Sequence, residues 1–127
     1  MSASGTLLFS KDHEWIRIEG SVARIGITDF AQDALGDVVF VQTPRVGDTV
    51  SSGDAMGEVE STKSVSDIYA PVAGRIVTVN DALQDDPALI NSDPFGAGWI
   101  CEIEVSSGVD LSALMDEQAY RQLVAGA

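Results

Sequence analysis

Apolar and polar positions alternate along most of the chain, the period of a β-strand with one buried face. Glu14 to Ile18 and Ser21 to Ile27 are runs of this kind, and Glu19-Gly20 between them supplies a hairpin turn. At Thr28 the period changes. Thr28-Asp29-Phe30-Ala31-Gln32-Asp33-Ala34-Leu35-Gly36 offers a hydroxyl or carboxylate N-cap, apolar residues on one face and a closing glycine, and so predicts a short helix. Strand character returns at Val38 to Val41. Pro44, Gly47 and Gly53 then punctuate the chain, and further strands are expected near Ala55 to Glu60, Val65 to Tyr69 and Gly74 to Val79.

After Asn80 the pattern loosens. Asp85-Asp86-Pro87-Ala88-Leu89-Ile90 predicts a short helical turn with proline in its first turn, and Asn91 to Gly98 a loop. Trp99-Ile100-Cys101-Glu102-Ile103-Glu104-Val105 alternates again. In the tail Leu111, Leu114 and Met115 form one apolar cluster, and Asp116 is placed to cap a helix carrying Tyr120, Leu123 and Val124. The expected product is mainly β: a small domain edged by short helices.

Length and charge narrow the classes. A chain of 127 residues suits one domain and hides roughly two-thirds of its unfolded surface on folding. Seven basic residues against twenty acidic ones give a formal charge of -13, which repels phosphate backbones and anionic membranes. Neither nucleic acid nor a membrane is an expected partner. The single cysteine, Cys101, has no partner for an internal disulfide and sits in an alternating strand, as a half-buried thiol in a reducing compartment would. No apolar run approaches the ~18 to 20 residues of a membrane span, and Met1-Ser2-Ala3-Ser4-Gly5 lacks the basic start of a signal peptide. A cytoplasmic protein is expected.

Enzymatic motifs are missing. The one histidine, His13, has no partner at metal-ligand spacing, no glycine-rich run fits a phosphate loop, and no serine sits in a nucleophile elbow. A hydrolase built on Glu14 and Asp67 would need a cleft that perturbs their pKa values, and nothing local in the sequence marks one.

Lysine is the scarce residue. Only Lys11 and Lys63 occur, and Lys63 lies in Val59-Glu60-Ser61-Thr62-Lys63-Ser64-Val65-Ser66-Asp67 between two expected strands, flanked by small hydroxyl residues. Such a lysine is either an ordinary solvated turn residue or an attachment point. Its surroundings favour attachment. Val46 to Asp54, Gly57 to Lys63 and Ala70 to Ile76 resemble, in this order, the lipoyl and biotinyl carrier domain, in which the modified lysine tops a hairpin. A biotin carrier shows methionines beside the lysine, whereas Thr62 and Ser64 stand there, so the lipoyl reading leads. The similarity extends to Ser10-Lys11-Asp12-His13-Glu14-Trp15, Val22 to Gln32, Leu35 to Val41, Ile90-Asn91-Ser92-Asp93-Pro94-Phe95-Gly96 and Gly98-Trp99-Ile100. Over about Leu8 to Val124 the chain resembles the glycine cleavage system H protein family.

That resemblance implies a single lipoyl-carrier domain over residues 1–127: a flattened barrel or sandwich of two antiparallel sheets, with short flanking helices and a C-terminal helix. The Lys63 turn is then exposed at one edge. It implies a shuttle and not an enzyme, with lipoate joined by an amide to Lys63. The arm visits glycine decarboxylase, the aminomethyltransferase and dihydrolipoyl dehydrogenase, carrying the aminomethyl group of glycine and then electrons. A lipoate ligase or a lipoyl/octanoyl transferase attaches it. A monomer is expected. A related H-like protein that relays lipoate to other acceptors would share the lysine, but the match at the N-terminal opening and C-terminal helix favours the glycine-cleavage role.

The resemblance also assigns individual residues. Glu14 and Asp67 match acidic positions of a cleft into which the loaded arm folds, where a carboxylate would hold an ammonium by a charge-assisted hydrogen bond. Glu60, Ser61, Thr62 and Ser64 are candidates for recognition by the attaching enzyme, the small ones leaving room for its active site. His13 is expected to organise the start of the first strand, Trp15 and Trp99 to be core or rim aromatics. Glu102 and Glu104 stand where basic residues are expected in the family.

Overall fold

The computed structural model describes residues 6–105, 111–112 and 114–125. The Met1 to Gly5 start lies outside the described residues. Nine strands and four helices are present among the described residues: β1 (Thr6–Phe9), β2 (Glu14–Glu19), β3 (Val22–Ile27), α1 (Asp29–Leu35), β4 (Val38–Gln42), β5 (Thr49–Val50), β6 (Ala55–Ser61), β7 (Val65–Tyr69), β8 (Gly74–Val79), α2 (Ala82–Asp85), α3 (Leu89–Ser92), β9 (Cys101–Glu104) and α4 (Glu117–Ala125). Six strands pair in the order β1-β2-β3-β9-β8-β5 and three in the order β4-β6-β7, all antiparallel. The expected two-sheet architecture is the one observed.

The two sheets close on one core. Inward positions of the large sheet (Ile16, Ile25, Ile76, Ile103) meet those of the small sheet (Val41, Val59, Ile68), and Leu83, Ile90 and Ile100 plug the ends. All are almost fully buried, each contributing roughly 1.5 to 3 kcal/mol by area removed from water. A second, aromatic cluster of Phe9, Trp15 and Tyr120 lies on the outer face of the large sheet, under α4. Phe9 and Tyr120 stack with ring centroids 4.7 Å apart. Trp15 lies flat across Gly26, the residue opposite it in the β2–β3 ladder, and donates its indole N–H to the Pro94 carbonyl at 2.8 Å.

Thr28 caps α1 as expected, its hydroxyl accepting the Ala31 N–H at 3.2 Å, and Gly36 closes it at φ 84°. Asp116 caps α4 by accepting the Ala119 N–H at 2.8 Å. Elsewhere the expectation needs correction. β1 and β5 have no alternating signature; β1 exists because Leu7 to Phe9 pair with β2, and β5 is two residues held against β8. The region after Asn80 holds two helices: α2, which was not expected, and α3, which begins at Leu89 beyond Pro87 and runs through Asn91 and Ser92, expected in a loop. Buried Asn80 causes the first of them: its side-chain oxygen accepts the Ala82 N–H while its amide donates to the Ala97 and Trp99 carbonyls. The tail cluster divides as well. Leu111 and Leu114 join the main core, Met115 joins the aromatic cluster, and Leu123 faces solvent.

Candidate functional site

The β6–β7 hairpin ends in Thr62, Lys63 and Ser64, all exposed. Ser61 builds this tip. Its hydroxyl accepts the Lys63 N–H at 3.3 Å and the Ser64 N–H at 3.1 Å and donates to the Ser64 carbonyl at 3.1 Å, while its own N–H reaches the same carbonyl at 2.8 Å. A serine can do this because its hydroxyl offers one donor and two lone pairs on a short stem. Ser61 is thus a structural member of the turn and more than a small space-leaving neighbour. The Thr62 N–H leaves the hairpin and donates to the Asp37 carbonyl at 3.0 Å. The Lys63 stem passes over Gly36, where an added Cβ would come within 3.4 Å of Lys63 Cε. Among the described residues no carboxylate pairs with the Lys63 ammonium.

Beside the tip, the free edge of β7 faces α1 across a cleft of about 390 Å³ lined by Asp12, His13, Glu14, Phe30, Ala34, Val65 and Asp67, with further residues of α1 and β7. The sequence candidates Glu14 and Asp67 are therefore brought to one cleft. They differ in setting. Glu14 is 1 % exposed, whereas Asp67 is exposed on the rim and lies opposite Glu58, with the Tyr69 hydroxyl 3.4 Å from its carboxylate. Ser10 donates its hydroxyl to Glu14 Oε1 at 2.5 Å and Tyr69 donates its backbone N–H to Glu14 Oε2 at 3.2 Å. Burial raises the Glu14 pKa from 4.5 to about 7 against the lowering effect of these two bonds, and nearby Asp12 adds to the rise. A solvated surface carboxylate is excluded for Glu14. The cleft and the perturbed carboxyl that the sequence does not mark are both present, but Asp67 turns to Tyr69 and does not form a coupled acid–base pair with Glu14.

His13 shapes the mouth of the cleft. It adopts φ 68°, and its carbonyl accepts the Thr28 N–H at 3.0 Å, linking β2 to the start of α1. Its Nδ1 lies 2.9 Å from the Tyr120 hydroxyl, which is 2.6 Å from Thr28 Oγ1, so the C-terminal helix holds the same corner. Arg121 adds an ion pair to Asp29 at 2.9 Å. Residues missed at the sequence level include Ser10, Asp12, Tyr69, Asp37 and Asn91. Asp37 acts through its carbonyl and Tyr69 reaches Glu14 through its N–H, and backbone groups leave no trace in residue type. Glu60 lies across the outer face of the small sheet in register with Phe40 and Val65, two large apolar residues that are 46 % and 56 % exposed. Glu102 and Glu104 are occupied by cross-strand pairs with Arg24 at 3.0 Å and Arg75 at 3.7 Å. Trp99 is half-buried beneath the Arg24 guanidinium. The Cys101 thiol is buried and its pKa pushed up to about 12, chiefly by desolvation, so it is not a reactive nucleophile.

No described helix is long and apolar enough to cross a membrane, and no group of metal-ligating side chains occurs among the described residues. The profile of the Glycine cleavage H-protein family matches residues 7–126. A glycine cleavage system H protein from Listeria monocytogenes serotype 4a (strain HCC23) is 49% identical over 124 residues, covering 98% of this chain and 99% of its own length. One from Myxococcus xanthus (strain DK1622) is 48% identical over 120 residues, covering 94% and 93%. The crystal structure of a glycine cleavage system H protein from Mycobacterium marinum superposes with a TM-score of 0.86 at 45% identity, over 97% of this chain and 99% of that one. The chain belongs to the glycine cleavage H-protein family.

Proposed function

We propose that this protein is the lipoyl-bearing shuttle of a cytoplasmic glycine cleavage system, working as a monomer and a single carrier domain, and that Lys63 is its attachment residue. The observation that carries the reading is the exposed Lys63 side chain, which no described carboxylate pairs, at the tip of a hairpin whose backbone is held by Ser61 and Asp37. An amine bound in an ion pair would have to be released before reacting. This one needs only to lose a proton inside the attaching enzyme.

The residues present fit lipoate. The amide removes the lysine charge at a position where no described carboxylate depends on it, and the exposed tip gives a lipoate ligase or lipoyl/octanoyl transferase access to the amine. When bound, the dithiolane supplies the redox and carrier chemistry used with glycine decarboxylase, the aminomethyltransferase and dihydrolipoyl dehydrogenase. The protein supplies reach and local protection. Tethering turns each encounter into a search within a small volume, which raises effective concentration without tight binding. Glu14, ionised, offers an ammonium at the arm's end a buried acceptor, and Asp67 offers a second at the rim. Phe30, Ala34 and Val65 provide apolar lining that limits water in the cleft. Glu60, Thr62 and Ser64 are within the footprint of any enzyme that closes on Lys63.

The test is intact mass after incubation with lipoate, ATP and a lipoate ligase, followed by peptide mapping. One added lipoyl group on Lys63 is expected. An unmodified protein, or modification confined to Lys11, would overturn the reading.

A further inference from the structure

Asn91 lies on α3, 28 residues beyond Lys63 in sequence (91 − 63), yet its amide brackets the segment on which the lysine turn rests. Its Oδ1 accepts the Val38 N–H at 2.8 Å; its Nδ2 donates to the Gly36 carbonyl at 2.9 Å and to Gln32 Oε1 at 3.0 Å. These partners fix the orientation of the amide, because a backbone N–H requires the oxygen and a carbonyl requires the nitrogen. All three residues of the bracketed segment face the hairpin tip. Gly36 lies under the Lys63 stem, Asp37 accepts the Thr62 N–H through its carbonyl, and Val38 pairs with Ser61 in the ladder.

We propose that Asn91 is a positioning residue for Lys63, acting through Gly36–Val38; this rests on the reading of Lys63 as the attachment lysine. The segment leaves α1 through a glycine at φ 84° and re-enters the small sheet two residues later, across a β-bulge between Val38 and Phe40. The α1 ladder ends at the Gly36 N–H, which reaches the Gln32 carbonyl at 3.0 Å; the Gly36 carbonyl and the Val38 N–H beyond it both go to Asn91. Asn91 serves the two, offering an acceptor and a donor from one short side chain. Aspartate keeps the acceptor and loses the donors; alanine loses all. Without the bracket the Asp37 carbonyl drifts from Thr62, and the hairpin tip keeps only its internal Ser61 bonds. The attaching enzyme then meets the competent turn in a fraction of molecules, which raises the apparent KM for the carrier and leaves kcat in place.

Amide hydrogen exchange and steady-state lipoylation on wild type, Asn91→Asp and Asn91→Ala test this. In the variants the Thr62 amide is expected to exchange about tenfold faster while the Ile103 amide in the large sheet stays within about twofold. In parallel, KM for the carrier protein in the lipoate ligase reaction rises by about tenfold at unchanged kcat. Wild-type Thr62 exchange in both variants, or an equal loss of protection at Ile103, would overturn the proposal. If Asn91→Ala does not fold, Asn91→Asp decides, since Val38 keeps an acceptor. A wild type that is never lipoylated would sink the reading of Lys63, and Thr62 exchange alone would then settle whether Asn91 holds the turn.

Discussion

The Glu14 carboxyl group accepts the backbone N–H of Tyr69 across 3.2 Å, so a side chain from the large sheet meets the β7 edge of the small one. Edge strands invite pairing with foreign chains unless something covers them. Here the cover is a titratable group, and the carboxyl that holds the edge also lines the cleft.

This arrangement has a thermodynamic sign. The Glu14 pKa is raised in the folded state, from 4.5 to about 7, so the folded protein holds the proton more firmly than the unfolded chain does. Stability contributed by the protonated group is full below pH 4.5 and is lost as pH rises through about 7, by up to about 3 kcal/mol. Glu14→Gln keeps an acceptor for Tyr69 and removes the titration. Chemical denaturation of both proteins from pH 4 to 8 should show the variant gaining on wild type across that window. Parallel curves would mean that Glu14 titrates as an ordinary carboxylate.

Retention of a loaded arm should run the opposite way. Only ionised Glu14 holds an ammonium by a charge-assisted contact, so protection is present above about pH 7 and fades as pH falls below it. Glu14→Ala should weaken that state by about 1 to 3 kcal/mol and flatten its pH dependence, with attachment at Lys63 unaffected. Release of ammonia and formaldehyde from the aminomethyl-loaded protein measures this at low and moderate salt; a buried contact loses little to screening. Equal decay of wild type and variant under both conditions removes Glu14 from the cleft's function.

Lys63→Arg should fold normally and remain unmodified. Arginine keeps the charge but offers no primary amine that a ligase can acylate. Circular dichroism and thermal melting should match wild type while the lipoyl mass increment disappears. Persisting lipoylation of this variant would place attachment elsewhere, with Lys11 as the other lysine.

Gly26→Ala tests the aromatic cluster. The added Cβ would stand 2.6 Å from Trp15 Nε1, so the indole must shift and strain its bond to Pro94. A loss of about 1 to 3 kcal/mol is expected from such overpacking. A melting temperature equal to wild type would show that Trp15 can relocate freely.

Much of this molecule follows from local pattern. Alternation places β2, β3 and β6 to β9, Thr28 and Gly36 bound α1, and Asp116 starts α4, because these depend on period and on caps within a few residues. The turn near Ser61 to Ser64 is likewise set locally, since a slip of one residue would exchange the buried and exposed faces of β6 and β7. The lone lysine on that turn is therefore legible from the chain alone. Other features depend on distant contacts. β1 is a strand only through its partner, and α3 continues through Asn91 because Ile90 enters the core and Asn91 finds Gly36 and Val38. Apart from the family resemblance that singles it out, Glu14 reads along the chain as one more acid among twenty acidic residues. Its burial, its bonds to Ser10 and to the Tyr69 backbone, and its raised pKa arise only when the two sheets meet, because desolvation and hydrogen bonding depend on three-dimensional surroundings that residue type and spacing do not encode.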